Sequence, residues 1–466
     1  MNKKPNIVFI LADQLRASSL PMYGETQIDT PNLDSLADNG VKFTNAISSC
    51  PVCTPYRSML LTGCHPQTTG HIINFMRTRH DEISIGDAFS NAGYKTGWVG
   101  KWHLHTGSFP EIEGKDYVPE GRDRLGFEYW RGYNFHSQYF DGWVNTDNWQ
   151  CEQWDGYETD ALNRYAFEFI DSTNDNPFCL FVSPHQPHAT TFGKYAPKKY
   201  YENIPEDLKL PLNVSKEVKD SSIKTYRDYL AMTLALDDMV GQMMDYLDKK
   251  GLMDDTILIF TSDHGTQMGA HGWSPWQKRV PYEESLRVPL IVSWPGRLDG
   301  GKTSDALMAS VDFFPTLCSL SGVSIPRTVE GKDLSSVWLG KENAFEQDSI
   351  LTMNFTASHD YLVGGEEWRG VRTRTHSYTR WLNGTIELYD LQKDPLQKNN
   401  LAGDSKSSKL EKDMKIMLDE KMEERNDRLV PCESYSNWFD SQRRVIRNVY
   451  GPLGSPEDFP DWSLLK

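Results

Sequence analysis

Cysteine is scarce and scattered. Seven residues (Cys50, Cys53, Cys64, Cys151, Cys179, Cys318 and Cys432) serve a chain of 466. Odd in number and widely spaced, they build no disulfide framework. Cys50 and Cys53 form one Cys-x-x-Cys pair, and no second pair follows to complete a zinc-binding set. Positive charge is also in deficit: 49 Lys and Arg against 65 Asp and Glu leave a net charge of -16. That argues against nucleic acid and anionic membranes as partners. A small anionic ligand stays open, but its pocket must be made positive locally. No long apolar stretch follows Met1-Asn2-Lys3-Lys4-Pro5, so neither a signal peptide nor a membrane span is expected. The expected compartment is the cytoplasm, or the periplasm or exterior if a leader has been removed. Internal repeats and low-complexity tracts are absent.

What is present is a globular composition, 38% hydrophobic and 12% aromatic, at a length suited to about two domains. Asn6–Ala12 is a continuous apolar run, the pattern of a strand buried on both faces. Lys95–Val99, Phe178–Ser183, Thr256–Thr261 and Val288–Ser293 repeat it. Thr225–Lys250 predicts a helix, with Tyr229, Met232, Leu236, Val240, Met243 and Leu247 on one stripe and Gly251 as its stop. Asp305–Leu320 predicts another. Strands alternating with helices predict an α/β fold, a mostly parallel central sheet sandwiched by helices. The pattern changes near Gly340, giving a main unit over residues 1–345 and a smaller α+β subdomain with a tail over 346–466. An insertion over 111–157 carries Trp130, Tyr133, Tyr139, Trp143, Trp149 and Trp154.

In open α/β sheets the reacting groups gather beyond the C-terminal ends of the strands. Here those ends read Asp13-Gln14 with Arg16, Lys101-Trp102-His103, Pro184-His185-Gln186-Pro187-His188 and Asp263-His264-Gly265. One such ending is ordinarily a turn or cap; four together are a pattern. Cys53-Thr54-Pro55-Tyr56-Arg57 opens a further helix, with Pro55 in its first turn and Gly63 as its stop. Cys53 therefore sits at a helix N-terminus, a place that favours an anion.

With Lys278, the run Tyr282–Pro289 and the later Glu387-Leu388-Tyr389-Asp390-Leu391, these motifs resemble the type I sulfatases of the alkaline-phosphatase superfamily over nearly all of residues 5–401. Gln397 stands where that family usually has Glu. The resemblance implies that Cys53 is converted to formylglycine by a formylglycine-generating enzyme, and that the aldehyde hydrate is the nucleophile. It implies one divalent cation on Asp13, Gln14, Asp263 and His264. Oxygen donors suit Ca2+, and the imidazole leaves Mn2+ open. Many relatives carry Asp at the Gln14 position. Arg57 would bind the hydrate and the carboxylates, and Lys101 and Lys278 would clamp sulfate oxygens. His103 would take a proton from the hydrate, and His185 would protonate the leaving oxygen. His188 is the alternative acid or a substrate contact. Arg77, His105 and His271 are further candidates for the substrate pocket.

The expected substrate is a sulfated carbohydrate, with no nucleic-acid or membrane partner. The aromatic insertion suggests a sugar platform or, equally, a satellite core under a long loop. The tail Trp438–Tyr450, with Arg443, Arg444 and Arg447, is expected either to fold back to the mouth of the site or to form a charged helix face. Two alternatives stay open: a phosphonate monoester hydrolase or phosphodiesterase of the same superfamily, and a non-catalytic binder of sulfated glycans.

Overall fold

The structure, a computed structural model, describes residues 3–106, 117–190 and 192–465. The first part of the insertion, 111–116, lies outside them. Among the described residues ten strands form the main sheet: β1 (Asn6–Ala12), β2 (Gly40–Ile47), β3 (Lys95–Lys101), β4 (Tyr129–Tyr133), β5 (Trp143–Asn145), β6 (Cys151–Gln153), β7 (Phe178–Ser183), β8 (Thr256–Ser262), β9 (Arg287–Ser293) and β10 (Lys302–Ala309). Their order is β10-β2-β9-β8-β1-β7-β3-β4-β5-β6. β1 pairs in parallel with β7 and β8, and β3 with β7 and β4. β9 runs against both its neighbours, β2 and β8.

β1 shows why the apolar runs become central strands. All seven of its residues are buried. Val8 and Ile10 pack in one core with the helices Glu158–Ser172 and Lys219–Lys249. Ile7, Phe9 and Leu11 pack in the other with Cys53–Thr62 and Phe313–Ser321. Each such side chain contributes about 1.5–3 kcal/mol by leaving water, so a strand with no polar face is stable only between two helical layers.

A second, antiparallel sheet follows: β11 (Ser349–Asn354), β12 (Trp368–Thr373), β13 (His376–Trp381) and β14 (Ile386–Asp390), in that order. The helix Ser408–Glu424 covers it through Met414, Leu418 and Met422. The same core takes in Ile47, Met59, Met76 and Leu286, so the smaller sheet is packed onto the main unit. Gln397 Oε1 accepts from the Glu283 N–H at 2.7 Å and adds a polar tie across the join. Among the described residues no helix is long and apolar enough to cross a membrane.

Several expectations are corrected. The helix expected at Asp305–Leu320 is instead β10, a 3-10 turn and the helix Phe313–Ser321. Lys302–Ala309 pairs in parallel with β2 at the sheet edge, and that ladder satisfies the backbone of the expected helix's first part. The long helix starts earlier, at Lys219. Most of the insertion's aromatics form core rather than an exposed platform, Trp149 excepted at 61% exposed. Trp130, Tyr133, Tyr139 and Trp154 are at most 2% exposed, and β4–β6 extend the main sheet. The tail forms no helix over 438–450. It lies against the 74–80 segment, with the Arg77 N–H donating to Arg443 O at 3.1 Å.

Candidate active site

Four strand ends and one helix start meet in a buried cluster. Asp13, Gln14, Arg57, Lys101, His103, His185, Asp263 and His264 are at most 1% exposed, and Cys53 and Lys278 are also buried. Local backbone explains part of the convergence. Gly100 has φ +96°, and a Cβ there would meet Ser183 O at 2.3 Å, so β3 can close on β7 before presenting Lys101 only with glycine. Gln14 (φ 69°) and His103 (φ 57°) hold left-handed backbone that costs energy for side chains of their kind. The His103 N–H donates to Asn134 O and its carbonyl accepts from Thr54 Oγ1 at 2.6 Å, which pins that turn to the Cys53 helix.

Cys53 Sγ is the centre. Lys278 Nζ lies 3.2 Å from it, His264 Nε2 3.3 Å, Lys101 Nζ 3.7 Å and Asp13 Oδ1 4.0 Å. Burial and the Asp13 carboxylate push the thiol above its ordinary range, against Lys101 and Lys278, so unmodified Cys53 is a neutral thiol at pH 7. Arg57 Nη2 reaches Asp13 Oδ2 at 3.4 Å and Asp263 Oδ2 at 3.2 Å, while Nη1 donates to Lys101 O and Ser183 Oγ. Lys101 Nζ also pairs closely with Asp13 Oδ2. Burial opposes ionisation of Asp13, but the charges of Lys101, His188, His185 and Arg57 win and hold it well below the usual carboxylate range.

The donor set fits a cation. Asp13, Cys53, Asp263 and His264 each offer a ligand atom, and these atoms lie within 4.8 Å of one another. His264 Nδ1 sits 2.9 Å from Gly265 O; a carbonyl only accepts, so Nδ1 carries the proton and Nε2 keeps its lone pair. Gln14 Nε2 donates to Thr266 Oγ1 and Trp276 O, and its Oε1 is left buried with no partner. A buried amide oxygen of that kind is costly unless something electropositive meets it.

Of the histidines, His103 has neither ring nitrogen hydrogen-bonded, and its ring lies against Phe75 and Phe135. His185 Nδ1 donates to His136 O at 2.6 Å, which leaves Nε2 directed to the cluster, 3.9 Å from Asp13 Oδ2. His188 is adjacent (ring centroids 4.8 Å apart) and partly exposed, with its carbonyl held by Tyr139. Arg77, His105 and His271 are engaged elsewhere. Arg77 is bidentate to Asp123, with His105 Nε2 3.6 Å from the same carboxylate, and His271 stacks on Tyr282 beside Glu284. Two of the tail arginines are also committed: Arg443 to Asn74 O and Asp360 O, Arg444 to Asp440 and Glu457.

Sequence reasoning missed Glu158, His136, Phe75 and Phe135. Glu158 accepts from Tyr133 Oη and from Gln186 Nε2, and so ties the His185 loop to β4. His136 and Phe135 follow the end of β4, and the strand-end rule finds them once that strand is recognised.

The sulfatase family model matches residues 5–323, and the model for the C-terminal part of N-sulphoglucosamine sulphohydrolase matches 269–424. An ulvan-active sulfatase of Formosa agariphila is 35% identical, over 93% of this chain and 84% of its own length. An N-acetylglucosamine-6-O-sulfatase of Bacteroides thetaiotaomicron is 27% identical, over 96% and 91%. A solved structure in complex with its substrate D-glucosamine-2-N,6-O-disulfate superposes with a TM-score of 0.74 at 26% identity, over 92% of this chain and all of that one. The motifs on the strand ends, the doubly covered sheet and these likenesses agree: the chain belongs to the sulfatase family of the alkaline-phosphatase superfamily, and it is a sulfuric ester hydrolase.

Proposed function

We propose that the chain removes sulfate from a sulfated carbohydrate, with residue 53 at the reacting centre. One observation carries this reading: two lysine ammonium groups, the His264 imidazole and two carboxylates surround Cys53 in a buried pit of an otherwise acidic protein. The catalytic unit is taken as residues 1–345 and the smaller subdomain as 346–466. The ends of β10 at Ala309 and the start of β11 at Ser349 support that division.

Asp13, Gln14, Asp263 and His264 would hold a divalent cation. Three oxygen donors favour Ca2+, and the His264 nitrogen admits Mn2+. When bound, the cation supplies charge to polarise a sulfate oxygen and to lower the pKa of an oxygen nucleophile. Residue 53 as formylglycine, made during maturation by a formylglycine-generating enzyme, supplies that nucleophile as an aldehyde hydrate.

The chain's own groups do the rest. Arg57 locks Asp13 and Asp263 in one orientation. Lys101 and Lys278 converge where sulfate oxygens gain charge as the ester bond breaks. Burial with the Lys101 and Arg57 charges keeps His103 well below the ordinary imidazole range, so its neutral ring accepts a proton. Burial and Lys101 hold His185 low as well. A sulfate monoester brings negative charge beside Nε2, which favours the protonated ring and lets it protonate the leaving oxygen. The His136 carbonyl fixes Nε2 as the working atom. His188 lies further out, as a substrate contact.

The test is a desulfation screen of the matured protein over defined sulfated mono- and oligosaccharides, run beside a phosphodiester and an aryl sulfate. Sulfate release from at least one saccharide, faster than phosphodiester cleavage, is expected. Preference for the phosphodiester would favour the phosphonate monoester hydrolase alternative. Tight saccharide binding with no turnover would favour the glycan binder.

A further inference from the structure

A sulfate held at Cys53 leaves the rest of its ester at the rim of a buried pit, so the partly exposed groups bordering the pit meet the sugar. Two of them are aromatic. The Phe135 ring centroid lies 4.8 Å from His103, 5.1 Å from His185 and 6.3 Å from His188, with Lys101 Nζ 4.9 Å from the same centroid. The Phe75 ring lies 4.8 Å from His103 and 5.6 Å from Phe135, nearly at right angles to it. Both are only partly buried, whereas Trp130, Tyr133, Tyr139 and Trp154 of the insertion are in the core and the exposed Trp149 stacks on Tyr117. Neither ring can ligate, titrate or donate, so the chemistry at residue 53 does not require them.

Phe75 is placed deliberately. Its φ is +55°, a conformation rarely used by a bulky side chain. Hydrogen bonds hold the backbone on each side of it. The Asn74 N–H donates to His359 O at 2.6 Å, Arg443 Nη1 donates to Asn74 O at 3.3 Å, and the Arg77 N–H donates to Arg443 O. Asn74 Oδ1 accepts from the Thr54 N–H of the Cys53 helix. The smaller subdomain and the tail thus clamp one rim aromatic against the reacting centre.

His359 completes the rim. Arg279, the neighbour of Lys278, places Nη1 3.0 Å from its Nδ1. Arginine only donates, so Nδ1 accepts, and the neutral ring carries its proton on Nε2 as a hydrogen-bond donor. The side chain is 47% exposed.

We propose that Phe135 and Phe75 form the stacking platform for the apolar face of the pyranose bearing the scissile sulfate, and that His359 Nε2–H donates to a hydroxyl of that sugar. This rests on the carbohydrate reading above. A pyranose presents a flat patch of C–H groups to an aromatic ring, and removing such a partner costs about tenfold in binding.

The experiment measures kcat and KM for N-acetylglucosamine 6-sulfate, D-glucosamine-2-N,6-O-disulfate and ulvan oligosaccharides, with inhibition by inorganic sulfate measured alongside. Phe135→Ala, Phe135→Leu and Phe135→Tyr are compared with the wild type, as is Phe75→Asn, which tolerates the left-handed backbone. His359→Ala is tested in the same series. On the saccharide that the wild type uses, Phe135→Ala and Phe135→Leu should raise KM about tenfold, with the inhibition constant of sulfate unchanged. Phe135→Tyr should stay within about twofold of the wild type, and Phe75→Asn and His359→Ala should each raise KM about threefold to tenfold. Unmoved KM in Phe135→Leu, or a parallel rise in the sulfate constant, overturns the platform while leaving the carbohydrate reading intact. A wild type that releases sulfate from none of these sugars instead overturns the carbohydrate reading.

Discussion

Replacing His185 with alanine separates proton donation from every other role in the site. The ring is fully buried, donates through Nδ1 to His136 O at 2.6 Å and leaves Nε2 with no hydrogen-bond partner beside the cluster. Its loss has two costs. The His136 carbonyl is left without this donor in a buried position, a stability penalty of about 1–3 kcal/mol, so assays belong well below the melting temperature. The second cost depends on the leaving group. An alkoxide leaving from a sugar needs the proton, and general acid catalysis supplies about 100- to 10,000-fold. A 4-nitrophenolate leaves without one, so its loss should stay within about tenfold. The assay is kcat/KM for a saccharide sulfate and for 4-nitrophenyl sulfate, in wild type, His185→Ala and His188→Ala. A large loss on the sugar alone, confined to His185→Ala, supports the assignment. Equal losses on both substrates refute it, and the same selective loss in His188→Ala instead moves the acid to His188.

Glu82 gives a pH signature of stability. Its carboxylate is buried without a hydrogen-bond partner, and burial followed by the Asp81 charge raises it from 4.5 to about 8. The folded state therefore keeps a proton that the unfolded state loses above about 4.5, so stability falls as pH rises from there to about 8. Glu82→Gln should change melting little at pH 5 and raise it by about 2–4 °C at pH 8; equal shifts at both values contradict the burial cost. Chelation followed by dialysis should abolish turnover and lower the melting temperature. Ca2+ or Mn2+ at about 100 times its dissociation constant should restore about 2.7 kcal/mol of stability, and a melting curve indifferent to chelator and ion counts against the donor set. Gly100→Ala should destabilise by about 2–4 kcal/mol, read by chemical denaturation, because its Cβ would meet Ser183 O at left-handed φ.

The parts of this protein written plainly in its sequence are those where physics is local. β1, β7 and β8 are buried on both faces, so their apolar runs are unbroken and easily read. β2 carries Lys42, Thr44 and Asn45, and β10 begins with Lys302-Thr303-Ser304-Asp305; both lie at or near the sheet edge, where polar side chains reach water and the apolar signal fades. The residues around Cys53 were legible because each sits in a strand-end or helix-start motif. Phe135 follows β4, a strand the apolar runs do not announce, and Phe75 and His359 belong to no such motif. The latter two reach the rim only through tertiary contacts, such as the Arg443 and His359 bonds to Asn74, which no spacing along the chain encodes.

The most direct measurement is sulfate release from a saccharide by protein matured with the formylglycine-generating enzyme, wild type against Cys53→Ser, with both shown to melt alike. Turnover by the wild type and a loss of at least about a hundredfold in the serine variant is the predicted result. A serine variant as fast as the wild type would contradict the placing of residue 53 at the reacting centre.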